Sequence, residues 1–153
     1  MMNWLLTLWE QRLVPAQQGV YFRDGSARAI SLDANAPGGV SLGAPIDVNR
    51  ILDADEDDTT SVDAVLAENA VRENGGVLCC GECDHGSEGY IALLDVDREV
   101  CWIAYFANSN PFVAIESRAG RATLRTSSGK AITIRTDTLN FVPAQYQESP
   151  TPP

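Results

Sequence analysis

The sequence predicts an α+β protein: a mostly antiparallel sheet of about six or more strands with two helices packed against it. Three observations predict this class. Apolar residues repeat at helical spacing in two stretches before residue 76 and alternate or run continuously after it. The later apolar segments are separated by short connections rich in Gly, Asn, Asp and Ser, and short connections join antiparallel neighbours. After residue 76 the strands follow one another with no helix between them, which suits α+β rather than α/β proteins.

Taken in order, Asn3 is an N-cap for a helix over residues 3–13, with Trp4, Leu5, Leu8, Trp9 and Leu13 as its apolar stripe and Pro15 as its stop. Val20-Tyr21-Phe22 and Ala27 to Leu32 read as short strands around the turn Asp24-Gly25-Ser26. Residues 34–50 read as loop, with a strand near Val40. A second helix is predicted from a Thr60 or Ser61 cap. Asp63 favours its positive N-terminus, Val62, Val65, Leu66 and Ala70 form its stripe, and Asn74-Gly75-Gly76 ends it. Six strands follow: Val77–Cys80, Glu88–Asp95, Val100–Phe106, Phe112–Glu116, Arg121–Thr126 and Ala131–Thr136. The last two alternate, so one face of that part of the sheet is expected to be wet. Residues 1–146 are expected to form a single domain and residues 147–153 a disordered Pro-rich tail.

Size and charge narrow the function. A chain of 153 residues buries roughly 70% of its unfolded surface, enough for a core without disulfide or metal staples. With 11 Lys and Arg against 21 Asp and Glu, the net charge is −10. That charge disfavours direct binding to nucleic acid or to acidic membrane surfaces. No stretch reaches the roughly 18 apolar residues of a membrane span. The apolar run Trp4–Trp9 lacks the basic start and small-residue cleavage site of a secretory signal. A cytoplasmic location with reduced cysteines is therefore expected. The charge is uneven. Residues 47–99 carry 15 acids and three bases, whereas residues 116–153 carry three acids and five bases. Asp53, Asp55, Glu56, Asp57 and Asp58 are the densest acidic run, with Glu82, Asp84 and Glu88 as a second group. This segment is either a solvating loop or a surface whose field steers a basic partner.

Catalytic and metal signatures are weak. Cys80-x-x-Cys83 and His85 could supply three zinc ligands, with Cys101 or Cys79 as a fourth. Cys79 and Cys80, however, must point to opposite faces of a strand, and Cys101 lies in an apolar strand beside Trp102, where a free Cys packs as a small hydrophobe. A redox Cys-x-x-Cys needs a helix N-terminus to lower its thiol pKa, and here it sits in a strand beside Glu82 and Asp84. The one histidine and Ser87 lack the Gly-x-Ser-x-Gly spacing of a nucleophile elbow. Asp53-x-Asp55-x-Asp57 starts like a calcium loop, but Asp58 and Ala64 stand where Gly and Glu are required. Asn108-Ser109-Asn110-Pro111 reads as a turn. No catalytic residue and no cofactor is expected.

The stretch from Gly75-Gly76-Val77-Leu78-Cys79-Cys80-Gly81-Glu82 through His85-Gly86-Ser87-Glu88-Gly89-Tyr90 to Trp102-Ile103-Ala104-Tyr105-Phe106 and Asn108-Ser109-Asn110-Pro111-Phe112 resembles small bacterial immunity proteins of contact-dependent inhibition and related polymorphic toxin systems. The resemblance implies a cytoplasmic α+β protein without enzymatic activity that binds a cognate toxin and blocks its active site. Such families vary most where they touch the toxin, so it transfers no contact residue. A basic toxin, such as a nuclease that must hold phosphates, would suit the acidic segment. A small zinc module or metalloenzyme built on Cys80, Cys83, His85 and Cys101 is the alternative.

Overall fold

Gly89–Leu94 and Val100–Phe106 are buried at every position, as continuous apolar strands covered on both faces should be. The computed structural model describes residues 4–52, 59–63, 70–73, 75–83 and 86–144. In it these two strands (β8 and β9) are central in a seven-stranded antiparallel sheet. The sheet also contains β2 (Gly19–Phe22), β3 (Ala27–Leu32), β4 (Val40–Pro45), β6 (Ala70–Glu73) and β7 (Gly76–Glu82). The order is β4-β3-β2-β9-β8-β7-β6, so two meanders join where β2 pairs with β9. A second sheet of β10 (Phe112–Arg118), β11 (Arg121–Thr126) and β12 (Ala131–Arg135) has three strands. A two-stranded ribbon pairs β1 (Leu13–Pro15) with β5 (Thr59–Ser61).

Two cores result. Between the sheets lie Leu78, Cys80, Ile91, Trp102, Ala104 and Phe106, packed with Phe112, Leu124, Ile132, Ile134 and Phe141. Against the other face of the large sheet, Leu5 of helix α1 (Trp4–Glu10), Val14, Val48 and Val62 pack on Tyr21, Cys79, Tyr90, Ile103 and Tyr105. The strand period of two explains the split: neighbours such as Cys79 and Cys80 enter opposite cores. Between β9 and β10 the chain crosses from one sheet to the other. Its Ser109-Asn110 backbone passes so close to Gly89 that a Cβ there would lie 2.6 Å from the Asn110 carbonyl oxygen.

The α+β class and the antiparallel sheet stand, but the helices are minor and one is displaced. The N-terminal helix ends at Glu10, and Arg12 takes a left-handed φ of 58°, which turns Leu13 into the ribbon. The second predicted helix does not have the ends expected of it. Thr60 and Ser61 belong to β5, and Ala70 begins β6, while Val65 and Leu66 lie outside the described residues. Glu73 of β6 pairs with Gly76 of β7, so a pair of antiparallel strands meets where the helix end was expected. A short α2 (Val48–Leu52) forms in the region read as loop, with the Asp47 carboxylate accepting the Arg50 amide at 3.4 Å. The predicted tail, residues 147–153, lies outside the described residues.

Candidate functional site

Among the predicted contact residues, Asp53, Asp55, Glu56, Asp57, Asp58 and Asp84 lie outside the described residues, as does His85. Glu82 and Glu88 are described, and they have opposite surroundings. Glu82 is exposed at the end of β7. The isolated bridge between Val62 and Cys83 brings the chain after β5 alongside it, and the Asp63 amide donates to the Glu82 carbonyl at 3.0 Å. The Tyr90 hydroxyl donates to the Asp63 carbonyl at 3.3 Å from below. These backbone contacts fix Asp63 and Glu82 with their carboxyl groups together.

That proximity has an electrostatic consequence. A hydrogen bond with the Asp63 carboxyl, and then the repulsion of its charge, raise Glu82 above the usual carboxylate range. Neither carboxylate forms an ion pair with a cation among the described residues. The pair is therefore suited to a guanidinium or ammonium group supplied from outside, which would neutralise both charges at once. From sequence alone Asp63 reads as a helix N-terminal charge, and its pairing with Glu82 emerges only in the fold. Its position in the same acid-rich segment as Asp53 to Asp58 was the available signal.

Glu88 corrects the surface expectation. It is 6% exposed and lies beneath the β1–β5 ribbon, where Tyr105 donates a hydrogen bond to its Oε2 and Thr60 donates to Oε1 at 3.4 Å. Burial first, and then the Glu88 carboxylate, push the Tyr105 hydroxyl up, so it remains a donor. A carboxylate held this way satisfies buried neighbours and is not available to a partner.

The four cysteines are free and buried. Cys80 and Cys101 belong to the core between the sheets, whereas Cys83 belongs to the core on the opposite face. Cys80 and Cys83 thus pack on opposite faces of the large sheet, and no group of three or more metal-ligating side chains occurs among the described residues. Burial pushes the Cys80 thiol up to about 12, and burial together with the neighbouring Cys80 pushes Cys79 up to about 12. Both are inert thiols at neutral pH. Cys101 is the extra residue of a β-bulge opposite Leu93 and Leu94. There Arg23 reaches its sulfur at 3.7 Å while also bonding Asp95 at 2.8 Å and the Val100 carbonyl at 2.8 Å. Arg23 is a clamp on the β8–β9 turn.

A groove of about 420 Å³ lies between the β3–β4 edge and α2, with Gln17, Ile46, Asp47 and Arg50 in its wall. It holds no nucleophile–base pair. Comparison with protein-family models, with curated proteins and with solved structures gives no match.

Proposed function

We propose that the chain is a cytoplasmic immunity protein, a binding protein that captures a cognate basic toxin on its acidic surface and blocks the toxin's active site. The observation that carries the reading is the Asp63–Glu82 pair: two exposed carboxyl groups brought together by backbone contacts, with no ion-pair cation among the described residues. Evolutionary economy aside, such a pair costs stability, and a bound cation reverses that cost. The pair belongs to the segment 47–99, whose 15 acids against three bases provide the long-range field for capture. The resemblance of residues 75–112 to immunity proteins of polymorphic toxin systems supports the same reading. In this proposal the contact surface also draws on Asp53, Asp55, Glu56, Asp57, Asp58 and Asp84, which belong to the same acid-rich segment of the sequence.

The test is co-expression with the product of the adjacent reading frame in the source genome. The expected result is a one-to-one complex, dissociated by salt, that silences a toxic neighbour. The double substitution Asp63→Asn/Glu82→Gln should weaken the complex while leaving the fold intact. A toxic neighbour that this protein neither binds nor silences would refute the proposal.

A further inference from the structure

The three-stranded sheet carries a feature opposite in sign to the rest of the molecule. Residues 112–135 hold five of the 11 cations of the chain and a single acid, Glu116. In β11 and β12 the buried positions are Ala122, Leu124, Thr126, Ile132 and Ile134, so the alternate side chains face outward. Register then aligns the charges. Arg118 pairs opposite Arg121, and Arg121 pairs opposite Arg135, which makes a row of three arginines across three strands. Arg125 lies on the same face nearer the other end of β11. Side chains directly opposite on adjacent strands are only about 5 Å apart, and like charges there are destabilising.

The face offsets this repulsion only in part. Asp137 accepts two hydrogen bonds from Arg135, at 2.9 and 2.5 Å, and Arg121 also lies near enough to stabilise its charge. Glu116 sits one row away, opposite Thr123. Arg118 and Arg125 have no ion-pair partner among the described residues. Four guanidinium groups therefore face outward against two carboxylates, on a protein of net charge −10.

We infer that this outer face of β10–β12 is a docking surface for an acidic protein, separate from the acidic surface assigned to the toxin. Two observations favour a protein over a nucleic acid. The outward residues of the three strands include no aromatic ring on which bases could stack. Among the described residues, two of the three exposed large apolar side chains belong to this part of the chain, Val113 of β10 at 50% exposure and Leu139 shortly after β12 at 58%, and apolar anchors among charges are a feature of protein interfaces. Arg118 and Arg125 contribute forked donors suited to carboxylates. The inference stands apart from the immunity reading, because it concerns another sheet and the opposite charge.

The test uses fluorescein-labelled poly-L-glutamate as the acidic polypeptide, with duplex DNA of matched charge for comparison, and reads anisotropy at low and high salt. The protein should bind poly-L-glutamate at low salt and lose it as salt rises. Arg118→Glu/Arg125→Glu should weaken binding at least about tenfold, Arg118→Ala/Arg125→Ala should weaken it less, and Arg50→Ala should leave it unchanged. All three substituted positions, Arg50, Arg118 and Arg125, are exposed, and circular dichroism of each variant checks that it keeps the parent fold. Three results would each overturn the inference: no binding at low salt, equal binding by both double variants and the parent, or tighter binding of the DNA.

Discussion

Glu82 and Glu88 are six residues apart and have opposite fates, set by what the fold brings to each. At Glu82 the fold brings another acid. Because the folded state raises this carboxyl above its unfolded value, the native protein binds protons more tightly than the unfolded chain there. The favourable contribution of the protonated pair is complete below the ordinary carboxylate range and is lost as pH rises through the raised value. Glu82→Gln should therefore stabilise the protein at pH 7 and make no difference in acid, which urea titrations at several pH values would show. The same substitution should weaken partner capture, so stability and binding move in opposite directions. At Glu88 the fold brings donors. Tyr105→Phe removes one of them from a buried carboxylate and should cost about 1–3 kcal/mol of stability, with no effect on partner capture.

At the scale of elements, the hairpins show how local chemistry sets topology. β10 and β11 are joined by Ala119 and Gly120, with φ of 54° and 78°. Such a two-residue turn needs left-handed backbone at both positions, which Gly adopts freely and Ala does not. Ala119→Asn should raise stability by about 1 kcal/mol, measurable as a shifted denaturant midpoint at unchanged slope. Turn chemistry of this kind made the C-terminal half of the fold legible. Val100–Phe106 and Arg121–Thr126 have the bounds expected from the sequence, and their neighbours differ by one to three residues at their ends. The ribbon and β6 were not legible. Leu13–Pro15 and Thr59–Ser61 are three residues each, too short for a period to show, and they exist because they pair with each other across more than 40 positions. Residues 62–70 have a helical stripe on paper, yet the β-branched Thr59, Thr60, Val62 and Val71 and the Asn-Gly turn signal all favour strands. Tertiary pairing with β1 and β7 decided the described parts. The site suffered from the same non-local pairing: Asp63 meets Glu82, and Glu88 meets Tyr105 and Thr60, only once the strands are aligned.

On the scale of the whole molecule, charge is segregated by sequence segment. Residues 47–99 concentrate acid, and the small sheet presents arginines on its wet face. Between them lies a double core in which β8 and β9 are buried on both sides, rigid enough to hold surface carboxylates at fixed separation. Under the proposed function, a protein arranged in this way would meet a cationic partner first through its field and then through paired groups such as Asp63 and Glu82. The account therefore turns on association kinetics. The most direct measurement is the stopped-flow association rate with the purified product of the adjacent reading frame, across a salt series, for the parent protein and for Asp63→Asn/Glu82→Gln. The account predicts a rate that falls steeply with salt, and a slower rate with weaker salt dependence for the double variant. Association that is indifferent to salt and to the loss of both carboxylates would contradict it.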